Sequence, residues 1–354
     1  MGAVVLEVEA MFYERAGDSR VRCKLCPWNC LLEDGKRGIC GGRENRRGVL
    51  YAINYGKITA LAIDPIEKKP LFHFYPGSPI LSISTFGCNF QCPWCQNWHI
   101  SRASLEESVY DEVEPQRVVE YAKRYGVPFI AYTYNEPLVW YEYVYDVSKL
   151  ARREGMKNVL VTNGFVEEEP LEELLPYVNA ANVDVKAFRE EVYRKYIKGK
   201  LAPVLQNVET MHEKGVHVET TYLVIPGIND DLSEIRKFCR WVLDALGPDV
   251  PVHFSRFFPH YKMSHLPPTP LELLIKAREI AMEEGLRYVY VGNVPGHEGE
   301  NTHCPSCKRP VIKRVGFEIT EWRLSDENRC EFCGERVAIT GERWRGGGGR
   351  WLWF

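Results

Sequence analysis

Eleven of the 12 cysteines in this chain fall into three short groups, and only Cys239 stands apart. Disulfide frameworks belong mostly to small secreted domains, whereas this chain has 354 residues and no signal-peptide layout at its start. Short CxxC-type spacings in such a chain indicate metal binding. Cys239 lies in a segment with helical periodicity, where we expect it to be a small buried side chain.

The middle group has three cysteines, Cys88, Cys92 and Cys95, in the run CNFQCPWC. A closed zinc site needs four ligands, and no fourth cysteine lies nearby. Three thiolates suit an iron–sulfur cluster that keeps one iron free for a small ligand. The alternative is three buried cysteines that lie together by chance, but clustered thiols are far more often metal ligands.

The first group supplies four cysteines, Cys23, Cys26, Cys30 and Cys40, with glycines at the intervening turns. Four thiolates make a closed site that is specific for a metal but not for which metal. Zinc is the usual structural metal, and an auxiliary iron–sulfur cluster is the alternative. Ligand type alone leaves both open.

The last group consists of two CxxC knuckles, Cys304 with Cys307 and Cys330 with Cys333. A strand-like stretch separates them, as in a zinc ribbon, so we expect zinc here. A module this small buries little surface, and metal ligation would supply its folding energy. Ribbons also bind nucleic acid, but the local charge is only mildly basic, and no nucleic-acid partner is expected.

Between the outer groups, apolar β-rich runs alternate with charged amphipathic stretches about six times. This alternation predicts an α/β fold with a parallel sheet. Most of the strands end in polar residues, which favours a partial (β/α)6-type TIM barrel over an open doubly wound sheet. Four regions are predicted: a four-cysteine metal-binding module (1–78), the partial barrel (79–300), a zinc-ribbon-like module (301–340) and a flexible aromatic tail (341–354).

The composition excludes several classes of function. The net charge of −3 gives no sign of a general nucleic-acid or membrane surface, and no apolar run is long enough to span a bilayer. Neither a GxGxxG nor a P-loop motif is present, so nothing indicates a dinucleotide or nucleoside-triphosphate site. We expect a soluble, cytoplasmic protein with no membrane partner.

The run CNFQCPWC also matches a known motif, the CxxxCxxC of radical S-adenosylmethionine (SAM) enzymes. With CKLCPWNC, DPIEKKPLFHFYPGS, YTYNEP, HFSRFFPHYKM and GNVPGHEGENTHCPSC, the chain resembles the AmmeMemoRadiSam system radical SAM enzyme family, which is related to the pyruvate formate-lyase activating enzyme. The resemblance covers nearly the whole chain. It implies a 4Fe-4S cluster on the three cysteines whose unique iron binds SAM, and reductive cleavage of SAM to a 5′-deoxyadenosyl radical that abstracts hydrogen from a substrate.

The resemblance also assigns residues by matching motif positions. Those expected near SAM are Trp94, Asn135, Glu136, Thr162, Asn163, Asp184 and Lys186. Two positions depart from the related activating enzymes. Asn135 replaces a glycine, which puts a backbone contact there in doubt, and Val161 replaces an aspartate, which puts any cation site in doubt.

Asp184 and Lys186 are two residues apart, so both lie on one face of a strand. The carboxylate could accept hydrogen bonds from ribose hydroxyls, and the ammonium could pair with the methionine carboxylate. A plain surface ion pair is the alternative for these two, and a solvated loop carboxylate is the alternative for Glu136. His253 and Arg256 could hold an anionic substrate, although they lie on opposite faces of their strand.

Three functions therefore compete. The first is a radical SAM enzyme that modifies a small molecule or peptide, with a ferredoxin or flavodoxin as electron donor and functional links to Memo-like and AMMECR-like proteins. The second is the activation of a glycyl-radical enzyme. The third, from another class, is a non-catalytic zinc-ribbon protein that binds nucleic acid, with zinc at all three cysteine groups.

Overall fold

The structure is a computed structural model, and it describes residues 8–346 together with the backbone of residues 352–353. The strands in this part of the chain are β1 (Val8–Glu9), β2 (Tyr13–Arg15), β3 (Val21–Cys23), β4 (Leu31–Leu32), β5 (Arg43–Arg46), β6 (Val49–Ala52), β7 (Lys57–Ile58), β8 (Ala60–Pro65), β9 (Pro79–Ser84), β10 (Asp111–Glu112), β11 (Phe129–Tyr132), β12 (Lys157–Thr162), β13 (Ala180–Asp184), β14 (His217–Val224), β15 (Val252–Arg256), β16 (Val289–Gly292), β17 (Thr302–His303), β18 (Pro310–Val315), β19 (Glu318–Trp322) and β20 (Leu352–Trp353). The α-helices are α1 (Trp98–Ser101), α2 (Pro115–Arg124), α3 (Tyr141–Arg153), α4 (Glu168–Leu174), α5 (Glu190–Val192), α6 (Leu201–Glu213), α7 (Leu232–Leu246) and α8 (Leu271–Glu283).

The central sheet has nine strands in the order β16-β15-β14-β13-β12-β11-β9-β8-β20. The strands from β9 to β16 along this order all run parallel, whereas β8 and β20 are antiparallel to their neighbours. In the described residues β16 and β20 do not pair with each other, so the sheet is an open, partial barrel. The predicted fold class is confirmed, and one further parallel strand follows the six strand–helix units.

The central strands form because their residues can be buried on both faces. Every residue of β9 and of β11 is buried, as expected for a parallel sheet with helices against one side and a filled interior on the other. The carboxyl ends of parallel strands meet at one edge, where barrels of this kind build their sites. The residues that follow β9, β11, β12 and β13 are therefore brought together.

Helix α7 shows how the sequence sets an element's limits. The Asp231 carboxylate accepts a hydrogen bond from the Ser233 amide at 2.7 Å, and the helix ends before Gly247, which has a φ of +90°. These are ordinary N-cap and C-terminal glycine signals. Cys239 lies on the inner face of this helix and is fully buried, which confirms its predicted packing role.

The N-terminal region forms two small three-stranded sheets, β1-β6-β5 and β2-β3-β4. Its apolar side chains, Leu25 and Leu50 among them, belong to the same hydrophobic core as the barrel. The ion pair between Arg43 on β5 and Glu142 on α3 also crosses between the two parts, and both side chains are buried. This region therefore packs as an integral layer of the barrel.

The C-terminal region is the three-stranded sheet β17-β18-β19 with its own hydrophobic cluster. Phe72, Tyr288 and Tyr290 of the barrel share that cluster. The four domain limits proposed from the sequence remain predictions, although β8 already belongs to the central sheet. Of the predicted tail, residues 347–351 and 354 lie outside the described residues, so its flexibility also remains a prediction, and β20 pairs with β8.

A buried polar network fills the barrel interior towards the amino ends of the strands. The Glu219 carboxylate accepts hydrogen bonds from the backbone amides of Phe72 and His73 at 3.0 and 2.7 Å. It also contacts Nε2 of His253 at 2.6 Å, and the His253 ring stacks on Tyr290. The segment that carries Phe72 and His73 thus plugs the barrel, so the interior is packed there.

No helix in the part of the chain that the structure describes is long and apolar enough to cross a membrane.

The Arg43–Glu142 pair gives a stability prediction. Glu142→Ala leaves the Arg43 guanidinium buried without its carboxylate, and we expect the free energy of unfolding to fall by roughly 3–5 kcal/mol. The exposed pair of Arg117 and Glu120 provides the control, because Glu120→Ala should cost less than about 1 kcal/mol. Urea unfolding of both variants measures the difference, and equal losses would contradict a structural role for the buried pair.

His73 gives a pH prediction. Its Nδ1 lies 2.7 Å from the Ala338 carbonyl and its Nε2 contacts the Tyr290 hydroxyl, which suits the neutral ring. Burial lowers the pKa of His73 to about 3 in spite of the Glu219 carboxylate nearby. The unfolded chain, with an ordinary histidine pKa near 6.5, then binds more protons below that pH, so stability falls as the pH falls, by about 2 kcal/mol from pH 7 to pH 5.

Chemical unfolding at pH 7 and pH 5 tests this effect. His73→Gln should lose less stability over this interval than the natural protein, because the variant has no ring to protonate. His265→Gln, at an exposed histidine, should behave like the natural protein. The same pH dependence in His73→Gln and the natural protein would refute the assignment.

Candidate active site

The loop after β9 carries the middle cysteine group, and Gly87 lies directly before its first cysteine. Gly87 has a φ of +91°, and a side-chain carbon on it would lie 2.3 Å from the carbonyl oxygen of Cys40. Only glycine suits both the left-handed backbone and this close approach. The Gly87 carbonyl accepts a hydrogen bond from Nδ2 of Asn135 at 2.8 Å, which fixes the start of the loop against the end of β11.

The rest of the loop is held by contacts from several elements. The Gln91 amide donates to the carbonyl of Ile197, and the Asn89 side chain donates to the carbonyl of Phe165. The Phe90 ring packs on Phe165 at a centroid distance of 5.0 Å. The cysteines are therefore placed by a rigid support.

The three thiols face donors and one another. Cys88 Sγ accepts from the Phe90 amide at 3.4 Å and lies 3.9 Å from Nδ2 of Asn163, while Cys95 Sγ lies 3.2 Å from the Ser101 hydroxyl. Burial raises the pKa of Cys88 well above its usual value and that of Cys92 to about 12. Without a metal these two thiols are protonated at neutral pH, so a bound metal group must displace their protons.

Glu136, after β11, is the central carboxylate of the site and is buried. Its Oε1 accepts from the Leu138 amide at 3.0 Å and from the Thr162 hydroxyl at 2.6 Å, and its Oε2 accepts from the Asn163 amide at 2.7 Å. Burial raises its pKa to about 7, against these three donors. A carboxylate has about four acceptor positions, so one remains for a donor such as an ammonium group.

Thr162, the last residue of β12, and Asn163 after it form a turn between Glu136 and the cysteine loop. The Thr162 hydroxyl accepts from the Gly164 amide at 3.0 Å, and Nδ2 of Asn163 donates to Oδ1 of Asn89 at 2.9 Å. Asn135 is likewise engaged with Gly87. The side chains of these three residues hold the walls of the site, which leaves less of their polar surface for a ligand.

Asp184 and Lys186, at the end of β13, form an ion pair at 2.7 Å. Both line the same cavity as the cysteines, whereas Val185 between them is buried on the other side, as their spacing predicts. Burial alone would lower the pKa of Lys186, but the Asp184 carboxylate outweighs it and raises that pKa. Lys186 therefore remains a cation beside Cys92.

The cavity at the carboxyl edge of the sheet has a volume of about 310 Å³. The ten residues predicted for the cluster and SAM all line it: Cys88, Cys92, Trp94, Cys95, Asn135, Glu136, Thr162, Asn163, Asp184 and Lys186. An adjoining cleft of about 800 Å³ shares Asn135, Asp184 and Asn293 with it. The two spaces lie side by side over the strand ends.

Several residues that line the cavity were not predicted from the sequence. Thr221 and Leu223 on β14, Ser255 on β15 and Asn293 after β16 face it. The signal available was their position at or near the ends of strands. Ser255 and Asn293 also lie within the HFSRFFPHYKM and GNVPGHEGENTHCPSC motifs, but the resemblance assigned them no role. Tyr134 was also missed, although its φ of +70° makes it unusual and its hydroxyl contacts the Asp64 carboxylate.

The structure does not bring His253 and Arg256 into this cavity. His253 lies deeper in the barrel, where Glu219 binds it, and it is 2% exposed. Arg256 points to the other face of β15, and its Nε donates to the Thr269 carbonyl at 2.8 Å. The opposite orientation of the two side chains follows from strand alternation, and both already have protein partners.

The C-terminal group can hold a metal ion. Its four ligand atoms all lie within 4.8 Å of one another, with Sγ–Sγ distances of 3.5 Å for Cys304 and Cys333 and 3.8 Å for Cys307 and Cys330. A tetrahedral site with metal–sulfur bonds of about 2.3 Å separates its sulfurs by roughly 3.8 Å. The geometry therefore fits a single tetrahedral ion.

Comparison with known proteins identifies the class. The family model described as "Radical SAM superfamily" matches residues 82–239. An uncharacterized protein of Methanocaldococcus jannaschii, MJ0808, is 50% identical over 332 residues, which are 94% of this chain and 99% of that one. The chain belongs to the radical SAM superfamily, whose members are enzymes that use a 4Fe-4S cluster and SAM and need a reductant.

Two activating enzymes are more distant relatives. Pyruvate formate-lyase 1-activating enzyme of Escherichia coli (strain K12) is 28% identical over 152 residues, which cover 41% of this chain and 61% of that enzyme. The (2S)-3-sulfopropanediol dehydratase activating enzyme of Klebsiella oxytoca is 28% identical over 113 residues, 32% of this chain and 36% of that enzyme. The chain thus spans less than two thirds of the length of either enzyme.

The Asp184–Lys186 pair gives a binding prediction. Lys186→Gln removes the cation expected to pair with the methionine carboxylate of SAM, and we expect the Kd for SAM to rise roughly tenfold, or about 1.4 kcal/mol. Equilibrium dialysis of the anaerobically reconstituted protein measures this. Lys237→Gln, at an exposed lysine on α7, is the matched control and should leave the Kd unchanged. An unchanged Kd in Lys186→Gln at equal iron content would remove Lys186 from the SAM site.

Proposed function

We propose that this protein is a radical SAM enzyme that abstracts a hydrogen atom from a small-molecule or peptide substrate, as a member of the AmmeMemoRadiSam system family. The observation that carries the proposal is the convergence of the three loop cysteines, Glu136 and the Asp184–Lys186 pair on one cavity beside a wider cleft. When bound, the cluster and SAM supply a 5′-deoxyadenosyl radical.

The protein's own residues bind and orient the cluster and SAM. Cys88, Cys92 and Cys95 hold the cluster, and Trp94 lies beside them, 3% exposed, as an apolar surface for the adenine. The free acceptor position on Glu136 suits the SAM amino group. Lys186 pairs with the methionine carboxylate, and Asp184 accepts from the ribose hydroxyls.

The loop after β15 contacts the cysteine loop and α1, and we propose that it partly covers the site. The Lys262 amide donates to the Pro93 carbonyl at 3.0 Å, and the Tyr261 ring stacks on Trp98 at 5.1 Å. A covered site protects a reactive radical from side reactions. This cover comes from the HFSRFFPHYKM segment, so that motif serves the site through its loop more than through His253 or Arg256.

The substrate enters through the wider cleft. Its volume of about 800 Å³ exceeds that of the cofactor cavity, and amide and hydroxyl side chains such as Gln96, Asn97 and Ser108 line it. Such groups suit a polar substrate. We place Memo-like and AMMECR-like proteins among the functional partners on the strength of the family resemblance, and a ferredoxin or flavodoxin as the electron donor.

Activation of a glycyl-radical enzyme is the second candidate, because two of the relatives are named as activating enzymes. We also propose that the C-terminal group holds zinc, since its sulfur spacing suits a tetrahedral ion. Membership of an enzyme superfamily argues against the hypothesis of a non-catalytic zinc protein.

Reductive cleavage of SAM tests the proposal. The protein is reconstituted anaerobically with iron and sulfide, reduced with dithionite and given SAM, and we expect 5′-deoxyadenosine and methionine in equal amounts. Cys92→Ala should make neither, because it loses a cluster ligand. Cys239→Ala, at the buried helical cysteine, should behave like the natural protein. If the natural protein forms no more 5′-deoxyadenosine than Cys92→Ala, the proposal fails.

A further inference from the structure

The N-terminal cysteine group lies against the loop that holds the middle one. The carbonyl oxygen of Cys40 packs on Gly87, the residue before Cys88. A second contact joins Nε1 of Trp28 to the Asn89 carbonyl at 2.9 Å. Since adjacent Cα atoms are about 3.8 Å apart, the Cα atoms of Cys40 and Cys88 lie within roughly 10 Å of each other.

The spacing of the sulfurs separates the three groups into two kinds. Among the described residues, only the C-terminal group brings three or more ligand atoms within 4.8 Å of one another. The N-terminal sulfurs are farther apart than this, as are those of the middle group. In the radical SAM superfamily the middle group binds a four-iron cluster. A single ion at about 2.3 Å from each sulfur needs the compact arrangement, whereas a cluster holds each thiolate on a different iron.

Two of the N-terminal cysteines, Cys30 and Cys40, nevertheless face one space. A side-chain carbon on Gly38 would lie 3.7 Å from Cys40 Sγ and 4.0 Å from Cys30 Sγ, so glycine leaves room between the two sulfurs. The sequence pattern agrees: the spacing C-x2-C-x3-C-x9-C has a single CxxC knuckle, whereas the C-terminal group has the two knuckles of a ribbon.

The surroundings of this group also suit a redox centre. The buried guanidinium of Arg43 places Nη1 3.8 Å from Cys23 Sγ. Net charge, hydrogen bonds to sulfur and solvent exposure set the potential of an iron–sulfur cluster. On the outer side, Leu31 and Ile39 are 45% and 42% exposed next to Cys30 and Cys40, so the group can be reached from the surface.

We propose that Cys23, Cys26, Cys30 and Cys40 bind a second iron–sulfur cluster that passes electrons to the cluster on Cys88, Cys92 and Cys95. The role as a relay rests on the proposed function of the middle site. A low-potential one-electron carrier protein gives one electron to the N-terminal cluster. The N-terminal cluster then passes this electron to the middle cluster, so the carrier is oxidised and the middle cluster is reduced by one electron. The Cys40–Gly87 contact provides the short path.

The metal content tests the binding site without use of SAM cleavage. The triple variant Cys88→Ala/Cys92→Ala/Cys95→Ala is reconstituted with iron and sulfide, and its iron, sulfide and zinc are measured together with its electron paramagnetic resonance spectrum after reduction. We expect it to remain brown, with about half the iron of the natural protein and the signal of a reduced cluster. A colourless variant with zinc in the N-terminal group overturns the proposal.

The natural protein provides a measurement that needs no variant. If both groups hold clusters, it binds more iron than one four-iron cluster accounts for, and its reduced spectrum contains a component that SAM does not alter. A single cluster whose whole signal changes with SAM overturns the proposal, while leaving the proposed function intact.

Electron transfer is tested with Cys26→Ala/Cys30→Ala. With dithionite, which can reduce the middle cluster directly, this variant should still form 5′-deoxyadenosine. With reduced flavodoxin as the donor, its rate should fall at least tenfold below that of the natural protein. Equal rates with flavodoxin overturn the relay. Failure of the natural protein with both donors would instead count against the proposed function.

Discussion

The buried carboxylate of Glu136 is the constraint on which the site depends. Its oxygens accept hydrogen bonds from the Leu138 amide in the turn after β11, and from the Thr162 hydroxyl and the Asn163 amide at the end of β12. Asn163 then reaches Cys88 Sγ and Asn89 in the cysteine loop. One side chain thus joins two strand ends to the cysteine loop, and its three donors offset part of the hydration that the carboxylate loses on burial.

The sequence was sufficient wherever a local pattern carried the information. Alternating strands and helices predicted the partial barrel, and parallel topology alone brings Glu136, Thr162 and Asp184 to one edge. The two-residue spacing of Asp184 and Lys186 correctly placed both on the cavity side. The three-cysteine motif, with its missing fourth ligand, indicated the superfamily that the comparison then identified.

What could not be predicted depends on contacts between residues distant in the chain. Strand alternation predicts that the His253 side chain points to the opposite face of β15 from Arg256. It does not predict that residues 72 and 73 fill the barrel interior next to His253, which only the structure shows. Thr221 reaches the cavity from β14, whose sequence matches no motif, and Ser255 and Asn293 reach it from motifs that assigned them no role. Cys40 and Gly87 are 47 positions apart in the chain but pack against each other. Apart from the glycine itself, nothing in the sequence around either residue predicts this contact.

The close approach at Gly87 also links the two wide cysteine groups in folding. Burial raises the pKa of Cys26 and Cys40, as it does that of Cys88 and Cys92, so each group must lose protons when it gains metal. The backbone of the N-terminal group at Cys40 packs directly on the loop that carries the middle group. Because Arg43 joins Cys23 to Glu142 and α3, ordering the N-terminal group also orders the barrel wall. The Cys40–Gly87 contact would therefore place the proposed N-terminal cluster against the loop that carries Cys88, Cys92 and Cys95.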